Sequence, residues 1–148
     1  VKDYLDYLSI LNMKTLVEMK NHLPFWLWTE FHAKYKGYMF LLMMIKKCPE
    51  QMQQYIQDTL ERVYSFEKTL DMQTDFAQKG YYTMHLIGEL LAYEHSSIKL
   101  DDNLYKNLTE KFNWFEEMKN FLNNHIEKIT ITETLTISMN IRRSFTLQ

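Results

Sequence analysis

Two histidine–carboxylate pairs are the nearest this chain comes to chemistry. Glu18 and His22 lie four residues apart, and so do His85 and Glu89. Side chains at that spacing share one face of a helix. Each pair could therefore present an imidazole nitrogen beside a carboxylate oxygen. Two such pairs on facing helices could hold a metal ion inside a bundle, as carboxylate-rich bundle sites do. The Glu-x-x-His spacing of those sites is missing here. The plainer reading is a helix-surface ion pair, or a histidine hydrogen-bonded at the edge of the core.

His32, His95 and His125 are scattered, and no His-x-x-x-His, His-Glu-x-x-His or Cys-x-x-Cys occurs. That argues against zinc. Cys48, beside Pro49, reads as a small buried residue rather than a nucleophile. Ser96-Ser97 beside His95 lacks the strand-turn-helix setting of a nucleophile elbow. The expectation is no catalytic residue, no metal and no cofactor.

Such side chains need a scaffold, and composition says which kind. The chain has 148 residues, 46% hydrophobic and 24% charged. These proportions fit one soluble globular domain spanning residues 1–148, and the Val start suggests a processed product or a segment excised from a longer chain. Three glycines and two prolines are few. Scarce turn residues imply long helices with short connections, and they exclude a Gly-rich phosphate loop. One cysteine excludes an internal disulfide and, with no signal-peptide-like start, points to a reducing compartment such as the cytoplasm. The apolar run Gly37 to Ile45 is far shorter than the roughly 20 residues of a membrane span. Net charge is −2 with lysines and arginines spread along the chain. That is no nucleic-acid stripe.

The periodicity predicts about five helices. A first runs from Asp3 to Asn21. Asn21 and Pro24 suit the start of a second, Phe25 to Lys47. After Gly37 it is apolar all round, which suits a central helix or one lying against a second molecule. Pro49 and Glu50 open a third, striped by Met52, Ile56, Leu60, Val63, Phe66 and Leu70. Thr74 or Asp75 caps a fourth, Phe76 to about Glu94. Gly88 sits inside it, at roughly 1 kcal/mol against alanine. Close helix packing or room for a ligand would offset that. A fifth runs from Asp102 to Lys128 on Leu104, Leu108, Phe112, Phe115, Leu122, Ile126 and Ile129.

The tail differs in kind. Ile129, Ile131, Leu135, Ile137, Met139 and Ile141 alternate with Thr, Ser and Asn over much of the segment. A period of two with β-branched residues predicts a strand over about residues 129–141. A lone strand must pair its backbone groups with some other edge.

The expected fold is all-α, an antiparallel bundle with a C-terminal β-segment. The expected function is non-enzymatic: a helical protein-binding domain of immunity, antitoxin or adaptor type. It would pair with another protein or a second copy through Ile131, Leu135 and Ile137, or through its second helix. An alternative is a small-molecule-sensing domain with an apolar, aromatic- and Met-lined pocket near Trp28, His85, Gly88, Glu89 and Trp114. A second alternative is a metal-dependent bundle enzyme using Glu18, His22, His85 and Glu89.

Overall fold

The computed structural model describes residues 16–127 with Ile129 and Glu133, and in the first helix the side chains from Leu23 onward other than Phe25. The described residues form six helices: α1 (Leu16–Ile45), α2 (Pro49–Tyr64), α3 (Phe66–Asp71), α4 (Phe76–His95), α5 (Leu104–Lys111) and α6 (Phe115–Asn124).

α1 is one helix of 30 residues with Pro24 inside it, about 45 Å long. The expected start near Pro24 is therefore corrected. Proline removes one backbone donor from the ladder. Here Leu27, Trp28 and Phe31 are buried just beyond it. Their packing holds the helix where local signals favour a new start.

α4 is the central helix. Every residue from Leu86 to Tyr93 is buried. Asp75 caps it, its carboxylate accepting from the Ala77 N–H at 2.6 Å. α1 packs along α4 in a constant register. Trp26 stacks on Tyr81, Glu30 meets His85, Lys34 meets Glu89 and Tyr38 meets Tyr93. Each partner is 55 positions further on, as for Glu30 and His85, so the two helices run parallel. The antiparallel expectation fails for this pair. Parallel neighbours need a return connection, and α2 with α3 supplies it between Lys46 and Asp75.

Two glycines of α4 set how near the helices come. A β-carbon at Gly88 would lie 2.9 Å from the Phe31 carbonyl oxygen and 3.2 Å from the Tyr35 nitrogen, both backbone atoms of α1. At Gly80 it would lie 2.8 Å from Leu27 Cδ1. Of the two expected roles for Gly88, close packing is the one seen.

α2 begins at Pro49 with Glu50 in its first turn. The predicted third helix is interrupted at Ser65, whose hydroxyl donates to the Glu61 and Arg62 carbonyls. The long fifth helix is also corrected. It breaks at Phe112, whose backbone is extended. Phe112 packs edge-on against Phe66 while Phe115 enters the core. The stripe is nonetheless correct: Leu104, Leu108, Phe112, Phe115, Leu122, Ile126 and Ile129 are all buried. The break folds that stripe around the core instead of extending it as a rod.

The predicted strand lies outside the described residues, apart from Ile129 and Glu133. Ile129 is buried. Glu133 has helical backbone, and its carboxylate lies 3.2 Å from His125 Nε2.

Candidate functional site

The His85–Glu89 pair sits on α4, but its members face different partners. His85 Nε2 lies 3.1 Å from Glu30 Oε2, and its ring lies 4.0 Å from that of Tyr81. Glu89 turns into a polar cluster between α1, α2 and α4. Its carboxylate accepts from Thr59 Oγ1 at 2.6 Å and from Arg62 Nη2 at 2.5 Å. Lys34 Nζ lies 3.9 Å away.

Glu89 is almost fully buried, so these partners offset the cost of taking its charge out of water. Arg62 Nη2 also donates to Tyr38 Oη at 3.0 Å. Thr59 Oγ1 and Tyr93 Oη are 3.1 Å apart. Burial lowers the Lys34 ammonium below its ordinary value despite the pull of Glu89. Burial would lower Arg62 too, but the hydrogen bond and charge of Glu89 outweigh it and leave the guanidinium raised. Burial and the charge of Glu89 push the Tyr38 phenol up. The cluster is therefore a set of mutually satisfied charges. Arg62 closes its solvent side, and Thr59 is held as a donor to Glu89. Its effect is to fix α2 against the parallel α1–α4 pair.

Glu18 and His22 lie on α1, ahead of the described side chains. No group of three or more His, Cys, Asp or Glu side chains that could hold a metal is found among the described residues. Cys48 is exposed, not buried as expected.

The pocket constellation is dispersed. Trp28 donates from Nε1 to the His125 carbonyl at 2.9 Å and stacks on His32. Gly88 meets the α1 backbone. Trp114 packs between Phe112 and Phe115 at the α5–α6 junction. One cleft of about 250 Å³ lies elsewhere, between Val63, Tyr64, Leu104, Leu108 and Lys111. Another of about 340 Å³ lies beside Ser97, Ile98, Leu100 and Tyr105. Neither includes Trp28, His85, Gly88, Glu89 or Trp114. Ile131, Leu135 and Ile137 lie outside the described residues.

The surface feature that sequence reasoning did not locate is on α1. Phe40 is 62% exposed, Met43 58% and Met44 57%. They lie three and four residues apart, on the side of the helix opposite buried Leu42 and Ile45. Ala33, Lys36 and Gly37 continue the exposed strip toward the helix start, and Lys46 and Lys47 follow its end. The signal was present: a helix apolar all round leaves a side uncovered where its neighbours, chiefly α4, do not surround it.

No family model, no curated protein and no solved structure matches this chain.

Proposed function

We propose that this chain is a non-enzymatic, adaptor-type helical domain that docks another protein on the outer face of α1. The supporting observation is the joint exposure of Phe40, Met43 and Met44 on one helical face. Single exposed apolar residues are ordinary, but a contiguous set is a usual mark of an interaction surface. Methionine suits such a surface because its unbranched side chain adapts to a partner's shape. The His85 and Glu89 side chains are engaged by Glu30, Arg62 and Thr59. They therefore serve the scaffold that presents this face.

A benzophenone photo-crosslinker placed at position 40 or 44, in an extract of the source cells, tests the reading. Adducts with a protein at both positions, and none from a control at exposed Gln51, are expected. Equal labelling from all three positions rejects it.

Pairing through the tail would add a second contact. Burial of Ile129 ties the start of that segment to the domain body. Sedimentation with and without residues 128–148 tests it. An unchanged monomer in both cases rejects tail-mediated self-association.

A further inference from the structure

The exposed strip of α1 has the spacing of a helix-docking seam. Within α1, Ala33, Gly37, Phe40 and Met44 follow one another at intervals of four, three and four. That heptad rhythm keeps one narrow line of a helix facing a second helix. All four are exposed, and exposed Lys47 lies in the turn just past the helix. The line is also shaped. A β-carbon at Gly37 would meet nothing within 4 Å, so the strip has a hollow there beside the bulk of Phe40 and Met44. Hollows and knobs suit an interdigitating helix. A lipid surface, which conforms to any apolar face, needs no hollow.

Charge narrows the occupant further. From Phe31 to Pro49 the sequence holds Lys34, Lys36, Lys46 and Lys47 and no Asp or Glu, within a chain of net charge −2. Lys34 turns toward Glu89, and Lys36 pairs with Glu127. Lys46 and Lys47 are exposed, and neither forms an ion pair with the described residues. A second copy docked in parallel would bring the same basic segment against itself, and one docked antiparallel would meet only Glu30, which already pairs with His85. Like charges across an interface disfavour pairing and opposite charges favour it.

We infer that the occupant of this seam is an amphipathic helix of another protein, with an apolar stripe bordered by Asp and Glu. The inference rests on the docking role proposed for the same face and names its partner class.

The probe is a fluorescent synthetic peptide of three heptads, with Leu at the seam positions and Glu on both flanks. A matched peptide carrying Lys on the flanks is the control. Fluorescence anisotropy of the full chain with each peptide is expected to show saturable binding of the acidic form, at least about tenfold tighter than the basic form and weakened by salt. Phe40→Glu with Met44→Glu should lower that affinity by about tenfold or more, with an unchanged thermal melt because both sites are exposed. Lys46→Glu with Lys47→Glu should reduce the preference for the acidic peptide.

Absence of saturable binding, or equal binding of both peptides, overturns the inference. So does a dimer of the wild-type chain that the Phe40 and Met44 substitutions dissociate, which would assign the face to a second copy. Phe40-dependent binding to phosphatidylserine-rich vesicles, stronger than to the acidic peptide, would assign it to a membrane surface and also overturns the inference. If crosslinking from position 40 still captures a protein while the acidic peptide fails, the docking role stands and the partner class falls. If both fail, the docking role falls too.

Discussion

Gly88 of α4 and Phe31 of α1 approach so closely that a β-carbon on the glycine would lie 2.9 Å from the phenylalanine's carbonyl oxygen. The obstacle is backbone, which cannot swing aside as a side chain can. Gly88→Ala would gain roughly 1 kcal/mol of helix propensity. The overlap should cost more, because forcing atoms into a packed interior typically costs about 1–3 kcal/mol. Urea denaturation of the alanine variant should show net destabilisation. Equal or greater stability than wild type would mean that the helices do not meet as closely as described.

Gly37 is the counterpart. It is exposed, and its β-carbon would meet nothing. Gly37→Ala should therefore raise stability by about 0.5–1 kcal/mol, the ordinary gain at an exposed helix interior. A loss at this position would indicate an unseen contact on the outer face of α1.

The Glu89 cluster predicts an order among substitutions. Removing the carboxylate with Glu89→Ala strips Arg62 and Thr59 of their acceptor and brings Lys34 and Arg62 together unscreened. It should cost about 2–4 kcal/mol, less than the largest buried-pair losses because Arg62 is half exposed. Lys34→Met should cost far less, since burial already disfavours the ammonium and Arg62 keeps Glu89 paired. Comparing denaturation midpoints checks the ranking. A lysine variant as damaging as Glu89→Ala would refute the assigned roles.

His32 predicts a pH dependence. Burial, followed by the charge of Lys36, holds its imidazole below the ordinary value against the opposing charge of Glu127. The unfolded chain then takes up the proton at higher pH than the folded one does. Its stabilising contribution is full above about pH 6.5 and is lost as pH falls toward the folded value. Wild type minus His32→Gln stability should therefore be larger at pH 7.5 than at pH 5. The same difference at both pH values would remove His32 from the account.

Trp28 ties α1 to the end of α6 through its bond to the His125 carbonyl. Trp28→Phe keeps most of the apolar bulk but leaves that carbonyl without this donor. A loss of about 1–2 kcal/mol is expected. Amide exchange should quicken selectively at residues 121–127. A purely global effect would argue that the indole acts by volume alone.

Much of the architecture was legible along the chain because its causes are local. Asp75 caps α4 and Pro49 opens α2, as their side-chain chemistry predicts. The stripe from Leu104 to Ile129 is buried as read, because burial follows the spacing of apolar side chains. His85 and Glu89 were rightly placed on one helix, yet spacing along a helix says nothing of what stands opposite. Glu30 and Arg62 come from segments far away in sequence.

The sequence by itself determined the helical character of the described residues, their main apolar stripes and a mid-helix glycine that called for either close packing or room for a ligand. Tertiary structure alone decided three matters. It carried α1 through Pro24, because packing of Leu27, Trp28 and Phe31 outweighs one missing backbone bond. It broke the last helix at Phe112, and the break lets Phe112 pack on Phe66 with Phe115 buried in the same core. It set α1 and α4 parallel, so that one side of α1 is covered and Phe40, Met43 and Met44 are left facing solvent. Which side of an all-apolar helix is buried depends on where its neighbour lies, and no periodicity within the helix encodes that.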